Sequence, residues 1–243
     1  MNLNELENFD MMEHLSKALM SIQETLNKIT INFDVEKLKD SMDQQLTIIK
    51  KISKDGYITP RCMDVDNQTK FFNCRYNKER KEIFTNFFIK NKEEALIGLK
   101  KEFYSYKELF YYRKPYAQAY FNFNHCNYYA CCILLTALLE GLIRKYADIS
   151  SKDKNIMGKL NQYLNKKYKN RYTLLFQDKT GIKNFIEIFY ASIDEKCINN
   201  KNYFNRNVLM HGLEYNRFNK TDAIKLFNVI DILNGLLLEK DEV

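Results

Sequence analysis

The run YYACCILLTALLEGLI, residues 128–143, is apolar around almost its whole helical circumference until Glu140, and Arg144 follows at once. A helix without a polar face has to be surrounded by others, so this segment predicts the central element of a helical protein. It is short for a membrane span and carries a carboxylate, so the expectation is a buried helix in a protein that does not enter a membrane. Asn124 or Asn127 stands where an N-cap is needed.

The rest of the chain agrees with an all-α fold. Across 243 residues there are only seven glycines and two prolines, too few for a turn-rich β protein, while 45% hydrophobic residues provide for a real core. Met12, Leu15, Leu19, Ile22, Leu26, Ile29 and Phe33 alternate spacings of three and four, the mark of one apolar helical seam. Asp34 then caps a second amphipathic helix through Val35, Leu38, Met42, Leu46 and Ile49. Together, residues 1–56 read as a helical hairpin or dimer arm. Residues 57–75, with Pro60 and several turn formers, read as a linker.

Helical pattern resumes over 76–118, as two helices meeting near Asn91. Within it begins FYSYKELFYYRKPYAQAYFNF, residues 103–123, in which ten aromatic residues are interleaved with Lys107, Arg113 and Lys114. Aromatics on a helix mainly fill a core, but tyrosines left outside beside basic residues can stack on bases. Beyond the central helix, Ser150 or Ser151 opens a basic amphipathic helix through Ile156, Leu160 and Leu164. Residues 169–181 read as irregular or briefly extended, and GIKNFIEIFYASID as a short helix. The last helix, capped by Thr221, shows a buried stripe of Ile224, Phe227, Ile230, Leu233 and Leu237.

The formal charge of +7 suits a phosphate-rich partner without approaching a histone-like balance. The six cysteines form no C-x-x-C pair, and His125–Cys126 has no second pair at ligand spacing, so neither a metal nor another cofactor is expected. The first residues are polar and acidic, unlike a secretory signal, and the expected compartment is the reducing cytoplasm.

The chemistry is concentrated in NYFNRNVLMHGLEYNRF, residues 202–218. Read as a helix over about 203–215, it puts Asn207 and His211 on one face. Arg206 lies about 140° round from His211. Histidine can move a proton near neutral pH, and arginine can hold a phosphate through paired hydrogen bonds. RNA brings its own nucleophile, the 2′-OH, so these groups suit its cleavage without a metal. Asn207 could orient the phosphate or the histidine. Gly212 would let another group approach the backbone. Glu140 and Arg144, four apart, form either a plain helix pair or a support for Arg206. Tyr203, Tyr215 and Arg217 flank the motif as possible RNA contacts.

FNRNVLMHG resembles the R-N-x-x-x-H motif of the HEPN superfamily, with Arg206, Asn207 and His211 at the matching positions. The resemblance covers about residues 119–243, with the motif on the penultimate helix and an acidic apolar helix upstream. It implies a helical bundle of HEPN type, here with an N-terminal helical extension, that forms a homodimer or higher homo-oligomer around a shared cleft. Its ribonuclease members are similar to toxins and abortive-infection defence proteins, with RNA as partner and a separate antitoxin or regulator as a further one. Other members carry no activity and bind RNA or a protein partner. That non-catalytic helical module is the alternative reading.

Overall fold

In the computed structural model, residues 35–150, 152, 153, 155–168, 175–192, 204–212 and 218–238 are described. The heptad seam of 12–33, the Asp34 cap, Tyr203, Tyr215 and Arg217 lie outside the described residues. The chain divides into two compact units, Met1–Gln45 and Leu46–Val243. Of the first, residues 35–45 are described and are helical.

The fold is all-α, with no strand among the described residues. The helices are α1 (Val35–Lys54), α2 (Val65–Asn73), α3 (Asn77–Ser105), a 3₁₀ helix at Lys107–Tyr112, α4 (Arg113–Asn124), α5 (Tyr128–Tyr146), α6 (Ile156–Lys167), α7 (Leu175–Phe189), α8 (Arg206–Met210) and α9 (Lys220–Leu238). No helix is long and apolar enough to cross a membrane among the described residues.

The expected central helix, α5, is capped by Asn127, whose side chain accepts from the Ala130 amide. It packs against α4 and α9. The centre, however, belongs even more to α9, where Thr221 and every residue from Ala223 to Leu237 are buried. The predicted stripe, Ile224, Phe227, Ile230, Leu233 and Leu237, is only part of that surface. α3, α5 and α7 all pack on α9, and the segment after α1 closes over it as well. Several of its polar side chains are therefore spent internally. Asn228 donates to the Ile58 carbonyl (2.8 Å), Lys225 to the Asp55 carbonyl (2.7 Å), and the Thr221 and Thr85 hydroxyls pair at 2.9 Å.

Residues 57–75, expected to form a linker, behave otherwise. Tyr57, Ile58, Met63, Phe71 and Cys74 are buried, and Asp64 caps α2 by accepting from the Asn67 amide at 2.9 Å. Gly56 turns the chain with φ +79°, a conformation suited to glycine, and the apolar residues beyond it fold back onto the core. Turn formers here mark a change of direction rather than a solvated stretch. α3 does break near Asn91, where Asn91, Lys92 and Glu93 adopt positive φ. The stretch 169–181, read as irregular, is helical from Leu175 onward.

Arg61 clasps this arrangement from outside. Its Nε meets Asp178 Oδ2 at 2.7 Å, and its guanidinium lies where a side chain at Gly235 would otherwise stand. Asp231, one helical turn earlier on α9, is buried with Glu102 nearby. Burial first, and Glu102 second, push its carboxyl up to about 7 against the opposing pull of Arg61.

An aspartate raised in the folded state binds its proton more tightly there than in the unfolded chain, so ionising it costs stability as pH rises from about 4 to about 7. Asp231→Asn should therefore melt higher than the parent at pH 8, with the gap closing near pH 4. The rise to about 7 bounds the effect at about 4 kcal/mol. Thermal melts across pH check this, and parallel profiles for the two proteins would refute it.

Candidate functional site

The motif helix is much shorter than the sequence pattern suggests. α8 spans Arg206–Met210, and its start is fixed by Asn205, a buried residue in extended conformation. Asn205 Oδ1 accepts from the amides of Asn207 (2.8 Å) and Val208 (3.3 Å), which supplies the N-cap. Its Nδ2 donates to the carbonyls of Ile188 (3.1 Å) and Ala191 (3.0 Å), tying α8 to the end of α7. Val208 and Leu209 bury the inner face, and Tyr129 of α5 donates to the Leu209 carbonyl at 3.2 Å. Sequence reasoning passed over Asn205, although an asparagine immediately before a helical run is the ordinary N-cap signal.

Five residues cannot bury much area, so α8 is held by these polar ties as much as by packing. At its far end, His211 is the C-cap, its amide bonded to the Asn207 carbonyl at 3.0 Å. Gly212 follows with φ +63°, the left-handed residue that ends such a helix. Among the described residues, a side chain at Gly212 would meet only the Tyr129 hydroxyl, at an ordinary 3.5 Å. The backbone angle is by itself a reason for a glycine here.

Arg206 points to α5. Its Nη2 meets Glu140 Oε2 at 3.1 Å, its Nη1 donates to Asn207 Oδ1 at 3.0 Å, and its guanidinium lies 5.9 Å from the centre of the Tyr190 ring. Glu140 also takes Arg144 Nε on its other oxygen at 3.0 Å. The two readings of Glu140 are thus both realised: it pairs along its own helix and reaches across to the motif. Asn207 donates its Nδ2 to the Ala191 carbonyl (3.1 Å), so its side chain bridges Arg206 and the chain after α7. That places Asn207 as an orienter of the arginine, and neither of its side-chain bonds goes to His211.

These groups line a cleft of about 420 Å³, formed by Glu140, Arg144, Tyr190, Arg206 and Asn207 together with Asn155, Ile156 and Met157. The last three are the N-cap and first turn of α6, where helix amides favour an anion. Arg144 delivers this turn, since its Nη1 donates to the carbonyls of Ser150 (2.8 Å) and Asp153 (3.3 Å). Burial, and then Glu140, hold the Tyr190 phenol well above its usual range, so it stays protonated. Two guanidiniums and one carboxylate leave one positive charge in the cleft. Arg206 keeps donors that none of its neighbours uses, and its Nε has no partner among the described residues.

The structure therefore brings Arg206, Asn207, Glu140 and Arg144 together, with Tyr190 as a member that the sequence did not announce. His211 is not among the lining residues. It is exposed, and its imidazole has no hydrogen-bond partner among the described residues. No group of three or more His, Cys, Asp or Glu is arranged for a metal among the described residues. His125, considered with Cys126 as a metal pair, stacks on Phe121 with ring centres 4.0 Å apart. Compared with protein-family models, curated proteins and solved structures, the chain matches none of them.

Asn205→Ala should destabilise the protein by roughly 1–3 kcal/mol, because it uncaps α8 and strands buried amides and carbonyls. Asn205→Asp, which keeps the accepting oxygen but loses the two donated bonds, should fall between the parent and alanine. Urea titrations of the three proteins check the order. Equal midpoints would show that the cap holds nothing.

Proposed function

We propose that the chain is a metal-independent endoribonuclease of HEPN type, working as a homodimer in the manner of a toxin or abortive-infection protein. The observation that supports this reading is the state of Arg206. It is braced by Glu140 and Asn207, backed by Tyr190 and held at a cleft whose opposite wall is the first turn of α6. Such an arginine is preorganised to take the charge that gathers on a phosphate in its transition state.

In the reaction, the 2′-OH of RNA attacks the adjacent phosphorus while His211 takes its proton or supplies one to the departing 5′-oxygen. The products are a 2′,3′-cyclic phosphate end and a 5′-hydroxyl end. Within one chain His211 lies outside the Arg206 cleft, so the reading needs a second copy to bring its own His211 to that cleft. Glu140, Arg144 and Asn207 act through Arg206 as positioning residues.

The exposed, unpartnered His211 also favours a second reading. If no partner copy completes the site, the cleft is a binding site for a phosphate-bearing ligand and the module has no chemistry.

Two measurements separate these readings. Purified protein incubated with mixed RNA in EDTA should leave cyclic phosphate ends, and both His211→Ala and Arg206→Ala should lose the activity by at least about a hundredfold. Mixing the two inactive variants should then restore about a quarter of wild-type activity, since half of the randomly formed dimers carry one intact shared site. Cleavage by His211→Ala at the parent rate would refute the assignment. Failure of the mixture to recover, with dimer exchange demonstrated, would refute the shared cleft.

A further inference from the structure

The 3₁₀ helix at 107–112 carries a feature that the cleft does not use. Leu109 is fully buried beneath it, and Tyr112 donates to the Gly141 carbonyl of α5 at 3.4 Å. Tyr146 of α5 returns a bond to the Glu108 carbonyl at 2.8 Å. The element is thus anchored, yet Phe110 is 61% and Tyr111 83% exposed, their rings edge-on with centres 5.6 Å apart. A fixed element that presents two large rings to solvent offers them to something other than its own core.

Their surroundings specify what that is. Lys107 precedes Phe110 by three residues, so on a 3₁₀ helix the two side chains eclipse. The Arg113 guanidinium lies 5.5 Å from the centre of the Phe110 ring, and Lys114 is exposed beside it. Lys145 of α5 stands 5.3 Å from the Tyr112 ring and 5.1 Å from the Tyr146 ring. None of Lys107, Arg113, Lys114 or Lys145 has a carboxylate partner among the described residues. Glu108 is the one acidic residue between 103 and 124.

Exposed rings interleaved with unpaired cations are what a single-stranded nucleic acid requires. Bases stack on the rings whatever their sequence, and the cations follow the phosphates. An apolar protein surface laid here would desolvate several unpaired cations, at a cost that a polyanion avoids. Position adds to this. Gly141 and Lys145 follow Glu140 and Arg144 by one residue each, so the 3₁₀ helix that carries the rings and the Arg206 cleft meet adjacent faces of α5, about 100° apart.

We infer that Phe110 and Tyr111, with Lys107, Arg113, Lys114 and Lys145, form a stacking platform for the single-stranded RNA that flanks the segment in the cleft. The identity of the polymer rests on the ribonuclease reading. The platform itself would take single-stranded DNA too, because stacking does not need a 2′-OH.

Fluorescence anisotropy with a labelled single strand of about a dozen nucleotides tests it, in EDTA and in the full-length His211→Ala background so that the strand survives. Phe110→Ala/Tyr111→Ala should weaken binding of both RNA and DNA roughly tenfold or more. Glu108→Lys, which removes the platform's one carboxylate, should tighten binding and steepen its salt dependence. Absence of binding by the parent, or equal affinity for the double variant, overturns the platform. So does a change in the solution mass of the double variant, which would mean that the rings seat a second copy of the chain. Cleavage is scored separately, so a working platform without cyclic phosphate ends would sink the ribonuclease reading alone.

Discussion

The last helix is buried on every side, and most of the architecture follows from that constraint. A helix has polar groups wherever its sequence puts them, and in α9 Lys225, Asn228 and Asp231 face protein instead of water. Two of these find backbone carbonyls in the segment after α1, which explains why residues read as a linker are drawn into the core. Asp231 is buried with Glu102 near it, and its raised pKa is the residual cost of placing a carboxylate there. α5 is packed against α9, so the position of Glu140 is fixed by the same burial.

Glu140 then carries that rigidity to the candidate site. One oxygen holds Arg144, which pins the chain leading to α6, and the other holds Arg206, which lies on a helix too short to be stiff by itself. A single carboxylate on the buried helix thus sets the spacing between the two walls of the cleft. Asn205 and Asn207 do the matching work from α7, sharing the Ala191 carbonyl. The cleft so formed has one net positive charge, donors on Arg206 that its neighbours leave unused and a helix N-terminus in its lining, the features that the proposed reading needs to hold a phosphate.

The aromatic segment shows how residue type and placement divide the work. Phe103, Tyr116 and Phe123 are buried, Phe103 stacked on Tyr116 and Phe123 edge-on to Phe227, as expected of aromatics that fill a core. Phe110 and Tyr111 are residues of the same types in the same segment, yet they face outward from a 3₁₀ turn that buries Leu109. No count of aromatics could have separated the two groups.

By itself the sequence determined the all-helical class, the buried α5, the break near Asn91 and the i, i+4 placement of Glu140 and Arg144. Each of these depends on residues within a few positions of one another, where spacing translates directly into geometry. Only the tertiary structure decided that Tyr57, Ile58, Met63, Phe71 and Cys74 belong to the core, that α9 has no exposed face and that Glu140 also reaches Arg206, 66 residues away. It also decided that Arg206 and His211 part company within one chain. An uninterrupted helix would have kept Asn207 and His211 on one face, but Asn205 and Gly212 confine α8 to five residues. Its ends are set by caps and by contacts with α5 and α7, and those long-range contacts leave no periodic trace in the sequence.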